Sequence, residues 1–382
     1  MAGLYIHIPF CKSRCIYCGF YSTLYRELCS DYVDALCREL ELRKGYLKSG
    51  SVISGMESPE AWRTIYIGGG TPSLLDGKML SKLFGAIDCS EAVEITMECN
   101  PDDITCEYAD VIGRLPVNRV SMGAQTFSDD RLRFIGRRHS AADVALAVER
   151  LRKAGIGNIS IDLMYGFPGE TVEEWDRDID MALSLDVGHI SAYSLMMEEG
   201  TPLYDMLQRG MVSEVDEEVS LRMYERLIDR LNDAGYGHYE ISNFARNGCR
   251  SLHNGNYWNE TPYMGIGAAA HSYDGMSRQW NIDDVKEYIR SIGSGVVPME
   301  IEELSMESRY NDFVMLSLRT SAGIDMEKMR EEYGDESVEY CMSNARGFID
   351  AGGYLRVDGN RLMLTRKGLF VSDMVMSSLM KV

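Results

Sequence analysis

No stretch of this 382-residue sequence approaches the roughly 18 uninterrupted apolar residues that a membrane-spanning helix requires. Positive charge is scarce: 39 Lys and Arg face 59 Asp and Glu, a formal net charge of −20. A surface of that sign repels phosphate backbones, so nucleic-acid binding is not expected. The N-terminus, MAGLYIHIPFCKS, lacks a basic region followed by an apolar core and a small-residue cleavage site, which argues against a secretory signal. The chain is therefore expected in the cytoplasm, where thiols stay reduced. Its ten cysteines then read as metal ligands or small core residues rather than disulfides.

A hydrophobic content of 45% with 26% charge places the chain among globular proteins, and its length allows about two domains. Six short β-type runs, at residues 4–9, 64–67, 94–98, 119–123, 159–163 and 189–195, alternate with helical patterns at 31–47, 78–87, 141–154 and 171–185. In the first of these, Val33, Leu36, Leu40 and Leu47 recur at helical spacing. Such alternation predicts an α/β fold of parallel βα units: a partial, open-sided (β/α)6 barrel over residues 1–235. A long helix is expected at 215–234. Residues 236–300 read as a connecting region, irregular at 239–245 and 264–270. Residues 301–382 read as three helices and then a hairpin across Asp358-Gly359-Asn360, an order that resembles a winged helix. With 14 acidic and 10 basic side chains, this C-terminal α+β domain is not expected to bind DNA.

Barrels of this kind carry their functional residues at the C-terminal ends of the strands. There the sequence places Cys11, Cys15 and Cys18, spaced C-x3-C-x2-C, then Gly68-Gly69-Gly70, Glu98-Cys99-Asn100-Pro101, Gln125 and Asp162. Three thiolates on one short loop can cap three irons of a [4Fe–4S] cubane and leave the fourth iron open. An open iron suits a chelating small molecule better than simple electron transfer. Zinc is the alternative, but its structural sites want four ligands, and His7, the nearest imidazole, lies on the preceding strand.

The cysteine spacing, with Tyr17 before the last cysteine, resembles the signature of the radical S-adenosylmethionine enzymes. YIHIPF at 5–10, GGGTPS at 68–73, ECNP at 98–101, RVSMGAQTF at 119–127 and IDLMYGFPG at 161–169 are similar to the branch of oxygen-independent coproporphyrinogen dehydrogenases, over essentially the whole chain. The resemblance implies S-adenosylmethionine on the open iron, a reductant protein that feeds the cluster, and cofactor contacts from Tyr5, Tyr17, Gly69, Gly70, Thr71, Glu98, Gln125, Arg137, Asp162 and Met196. Charge pairing suits Glu98 to an ammonium and Arg137 to a carboxylate, and Asp162 to ribose hydroxyls.

Two features depart from that branch. The dehydrogenase has a further cysteine two residues after the third ligand, where this chain has Phe20. And His253-Asn254-Gly255-Asn256-Tyr257-Trp258, H-N-x-x-Y-W, resembles the signature of HemW-type heme chaperones, the non-decarboxylating sisters of the dehydrogenase. That resemblance implies a heme site with His253 as axial ligand, Asn254 beside it, and Tyr257 and Trp258 against the porphyrin. The residues alone leave open an interior histidine in a structural turn. His271, after three alanines, is a second candidate ligand, and His7 and His139 are others. The expected function is heme binding and delivery to recipient hemoproteins; the alternative is oxidative decarboxylation of coproporphyrinogen III.

Overall fold

The computed structural model describes residues 2–47 and 62–381. Strands β1 (Gly3–Ile8), β2 (Thr64–Gly69), β3 (Glu94–Cys99), β4 (Arg119–Gln125), β5 (Asn158–Tyr165) and β6 (His189–Ser194) run parallel, each beside the next. Helices cover the outer face, among them α1 (Cys29–Leu42) and the helices Ala141–Lys153 and Val172–Ser184.

Period-two alternation sorts the strand residues. Leu4, Ile6, Ile8, Ile65, Ile67, Ile95, Met97, Val120, Met122, Ile159, Ile161 and Ile190 pack outward into one core beneath the helices. The intervening residues, such as Tyr5, Tyr66, Glu98, Ser121 and Asp162, face inward. A closed barrel fills its lumen with branched apolar layers. Here the inner face carries polar and aromatic side chains that bond or stack with one another.

The connecting region differs from expectation. Residues 239–245 and 264–270 are not wholly irregular. β7 (Gly237–Glu240) and β8 (Asn243–Ala245) continue the sheet beyond β6, and β9 (Tyr263–Ile266) lies parallel against β1. β10 (His271–Tyr273), β11 (Ser277–Asn281) and β12 (Met299–Glu303) follow outward, so twelve strands form one open sheet ending at β7 and β12. Strands of three or four residues with Gly and Ala show no apolar alternation; neighbours hold them in place.

The strongest of those neighbours is a buried ion pair. The expected helix over 31–47 ends at Leu42, and its C-cap, Arg43, turns into the protein. Arg43 Nη1 lies 3.3 Å from Glu39 Oε1 and donates to Gly265 O at 2.7 Å. Its Nη2 donates to Ser272 Oγ and Gln279 Oε1, both at 3.1 Å. Glu39 accepts from Gly267 N, Asn281 Nδ2 and Tyr288 OH. One pair thereby fixes β9, β10 and β11 to the barrel. Removing one partner strands a buried charge, so Glu39→Ala is expected to cost about 3–5 kcal/mol. A denaturant midpoint unchanged from the parent would contradict this.

A second sheet, β13 (Ile324–Asp325), β15 (Arg361–Leu364) and β14 (Leu355–Asp358) in that order, packs with the helices Met306–Arg319, Met326–Tyr333, Asp335–Asp350 and Ser372–Leu379 around its own core of Tyr310, Phe313, Leu318, Cys341 and Leu362. Among the described residues no helix is long and apolar enough to cross a membrane.

Candidate iron–sulfur and cofactor site

The loop after β1 is held from both sides while its cysteines stay half-exposed. Thr23 N donates to Pro9 O, and Cys11 N to Thr23 O at 2.9 Å. Ile16 N donates to Ile135 O at 3.1 Å, and Leu203 N to Ile16 O at 2.9 Å. Ile16 and Tyr17 pack on a small apolar cluster of Ile135, Met164, Phe167, Leu195 and Leu203. The residues between the second and third cysteines are therefore anchors. Cys11, Cys15 and Cys18 are all free thiols. Burial pushes the Cys11 and Cys18 thiols up, so iron charge is needed to keep them as thiolates. Among the described residues no three His, Cys, Asp or Glu converge on a single ion. A cubane asks for no such convergence, because it takes one sulfur at each of three corners.

The ends of β2, β3 and β4 surround this loop. Thr71 Oγ1 donates to Cys11 Sγ at 3.6 Å. Glu98 accepts from Tyr66 OH at 2.7 Å and from Gly69 N at 3.1 Å. Burial raises its carboxyl to about 7 against the opposing pull of those donors. Arg137 lies over the loop, with Nη1 3.9 Å from Cys15 Sγ and Nη2 donating to Asn100 Oδ1 at 2.8 Å and Gly123 O at 2.5 Å. Gln125 sits at φ 66°, after a β-bulge in the pairing of β4 with β5. A non-glycine residue there costs of order 1–3 kcal/mol and re-aims its side chain, here toward the space above Gly123. Asp162 faces the same space and accepts from Ser121 Oγ at 3.4 Å; burial raises its carboxyl. Tyr5 OH bonds His7 Nδ1 at 2.9 Å, and its ring stacks on Tyr66 at 6.2 Å. Met196 is 64% exposed just beyond β6.

These residues suit the expected groups. The thiols offer three soft ligands. The Arg137 Nε is buried with no hydrogen-bond partner among the described residues, a donor awaiting an acceptor. At Gly70 a Cβ would meet Phe10 O at 2.8 Å and Ile8 O at 2.9 Å, so glycine lets two backbone segments pass in contact. Gly70→Ala is accordingly expected to displace the cysteine loop and lower the iron and sulfide bound per chain. Parental iron content in that variant would contradict the argument.

The six-residue motif lies elsewhere. Helix Leu252–Trp258 closes the opposite end of the barrel, where the strands begin. Glu94, first residue of β3, accepts from Leu252 N at 2.8 Å and His253 N at 2.9 Å. The His253 ring is buried. Its Nδ1 meets Thr64 Oγ1 at 2.9 Å, its Nε2 meets Tyr257 OH at 3.0 Å, and it stacks on Tyr66 at 5.2 Å. Both ring nitrogens of His253 are thus hydrogen-bonded within the protein, and the ring sits at the base of the barrel. Asn254 N is capped by Ser251 Oγ at 3.3 Å. Tyr257 packs edge-on against Tyr263 at 4.8 Å, and Trp258 lies under the Arg319 guanidinium at 4.7 Å.

Residues 5–182 match the Radical SAM superfamily, and residues 304–371 match the HemN C-terminal domain. The chain is 36% identical to heme chaperone HemW of Bacillus subtilis (strain 168), over 98% of each protein. It is 32% identical to heme chaperone HemW of Mycobacterium tuberculosis (strain ATCC 25618 / H37Rv), over 99% of this chain and 94% of that one. This chain belongs to the HemW family of radical S-adenosylmethionine proteins. The crystallographic fold of coproporphyrinogen III oxidase (HemN) from Escherichia coli superposes on it with a TM-score of 0.82 at 22% identity, covering 100% of this chain and 90% of that one. That likeness concerns the fold.

In this HemW-family chain, one inward-facing residue, the first of the RVSMGAQTF segment, was not singled out in the sequence. Arg119, at the start of β4, is 1% exposed, and its Nε has no hydrogen-bond partner among the described residues. Its charge pulls the Glu98 and Asp162 carboxyls down, against burial. A strand-initial arginine reads as a surface charge until the sheet is seen to curl around it.

Proposed function

We propose that this chain is a heme chaperone. It carries a [4Fe–4S] cluster on Cys11, Cys15 and Cys18 and holds S-adenosylmethionine at the barrel mouth. It binds heme, and it delivers that heme to recipient hemoproteins. The observation that carries this reading is near-full-length similarity, at 32–38% identity, to relatives named heme chaperone HemW.

Within the site, Glu98 faces the cofactor's ammonium, Arg137 its carboxylate and Asp162 its ribose, with Gly69, Gly70 and Thr71 as the backbone floor. Tyr5, Tyr17, Gln125 and Met196 complete the contacts. When bound, cluster and cofactor supply one-electron chemistry; the chain's own residues position them and exclude water. The cluster draws its electron from a reductant protein. Phe20, 73% exposed where the dehydrogenase has a cysteine, favours the chaperone over the decarboxylase. The decarboxylase reading rests on fold, which does not carry chemistry.

One preparation decides the matter. Heme titrated into the anaerobically reconstituted protein is expected to give a Soret band, and transfer to an apo-hemoprotein should follow. Incubation with coproporphyrinogen III and a reductant is expected to give no protoporphyrinogen. Turnover of the porphyrinogen, or the absence of a Soret band, would overturn the proposal.

A further inference from the structure

The helix Leu252–Trp258, which carries the six-residue motif, is tied at one end to the barrel and at the other to the C-terminal domain. At its N-terminus Glu94 accepts from Leu252 N and His253 N, and His253 bonds Thr64. At its C-terminus the Arg319 guanidinium, from the end of helix Met306–Arg319, lies 4.7 Å over the Trp258 ring. Arg319 Nε also donates to Glu240 Oε2 of β7 at 3.0 Å. On the next helix, Met326–Tyr333, Lys328 Nζ meets Glu260 Oε2 at 2.9 Å. The turn between those two helices is pinned beside β7: Ile241 N donates to Arg319 O at 3.1 Å, and Ser321 N to Tyr239 O at 3.0 Å.

Two groups at this junction are held in unfavourable states. Glu260 ends the motif helix in a left-handed turn, at φ 57°, with Thr261 N donating back to Asn256 O at 2.9 Å. That position usually belongs to glycine, because a Cβ there strains the backbone. The chain has a glutamate instead, and its carboxylate is what Lys328 holds. The Trp258 Nε1 is the second: it is buried with no hydrogen-bond partner among the described residues. Behind them, both His253 nitrogens are occupied, by Thr64 and by Tyr257. In this arrangement the motif has no nitrogen to give, and contacts from the C-terminal domain maintain it.

We infer that the C-terminal domain is a latch on the motif helix: Arg319 and Lys328 hold the helix shut against the barrel base, and heme binds when they let go. This rests on the heme-binding reading above, with the ligand on the motif helix, and adds the regulation of that site. Opening lets the Glu260 turn unwind, gives Trp258 Nε1 access to a partner and lets Tyr257 part from His253 Nε2. A site present only in the open state binds with an affinity reduced by the fraction of molecules that are open. The same closure favours release, because it restores the bond between His253 and Tyr257 as the heme leaves.

The test titrates heme into the anaerobically reconstituted parent and into Lys328→Met, Glu260→Gln, their double variant and Arg330→Ala, each checked for parental cluster absorbance. Methionine keeps the Lys328 stem, which packs beside Phe313. Arg330, on the same helix, pairs with Asp335 within the C-terminal domain and is the control. Ion pairs of this exposure shift an equilibrium by a factor of about 1.5–5. Lys328→Met and Glu260→Gln are therefore each expected to bind heme about two- to fivefold more tightly. The double variant should gain no more than either alone, and Arg330→Ala should match the parent. Amide hydrogen exchange supplies a second readout: residues 255–261 should exchange faster in Lys328→Met, and residues 319–328 of the parent should lose protection when heme is added. Unchanged or weaker heme binding in both single variants would overturn the latch alone, as would full protection of 319–328 in the heme-loaded parent. No Soret band in the parent would overturn the heme reading beneath it.

Discussion

Replacing Cys15 by serine is expected to yield a folded chain without its cluster. Cys15 is half-exposed, and its sulfur meets Arg137 Nη1 at 3.9 Å and the Tyr17 hydroxyl, contacts that a serine hydroxyl can keep. The loop is held instead by Ile16 and Tyr17 in their apolar seat and by the backbone bonds to Thr23, Ile135 and Leu203. A serine hydroxyl keeps that geometry but is a poor, hard ligand for cluster iron. Two cysteines cannot hold three corners, so nearly all iron, sulfide and visible absorbance should disappear while the denaturation midpoint stays close to the parent's. Cys89→Ser, remote from the loop in sequence and part of the main core's margin, is the matched control and should keep its colour. A full complement of iron and sulfide in Cys15→Ser would sink the ligand assignment.

Glu98→Gln is expected to move stability and binding in opposite directions. Burial holds the Glu98 carboxyl at about 7, above its ordinary 4.5. The folded state therefore holds a proton that the unfolded chain releases between those values. This contribution to stability is fully present below about 4.5 and is lost as pH rises to about 7. Above pH 7 the unliganded protein carries the cost of a buried carboxylate, at most about 3 kcal/mol by that shift. An amide removes the cost; its oxygen can accept from Gly69 N while its NH2 donates to the Tyr66 hydroxyl, so the unliganded variant should resist denaturant better at pH 8. An ammonium ligand needs the carboxylate. In the parent, S-adenosylmethionine affinity should fall by about tenfold per pH unit below 7; in the variant, affinity should be weak and lose that pH dependence. Calorimetric titration at pH 6 and pH 8 measures both. A variant that binds as tightly as the parent at pH 8 would exclude Glu98 from the ammonium site.

Local pattern determined a large share of this protein. Strand–helix alternation sufficed for six parallel strands within a few residues of their ends, because outward-facing Ile, Leu, Val and Met recur at every second position. C-x3-C-x2-C, GGGTP and the carboxylates at strand ends made the candidate site legible, since the fold gathers those short segments at one end of the parallel strands. Tertiary structure alone decided which polar residues are shared between segments. Glu39 and Arg43 look like an exposed helical pair, yet they bind strands more than 220 residues away. Arg119 looks like a surface charge and lies in the lumen. His253, the residue the sequence made most conspicuous, is saturated by Thr64 and Tyr257, while the plainer His271 keeps both nitrogens free of described partners. A one-dimensional pattern records how often a residue type recurs, but hydrogen-bond saturation depends on partners that only folding brings within 3 Å.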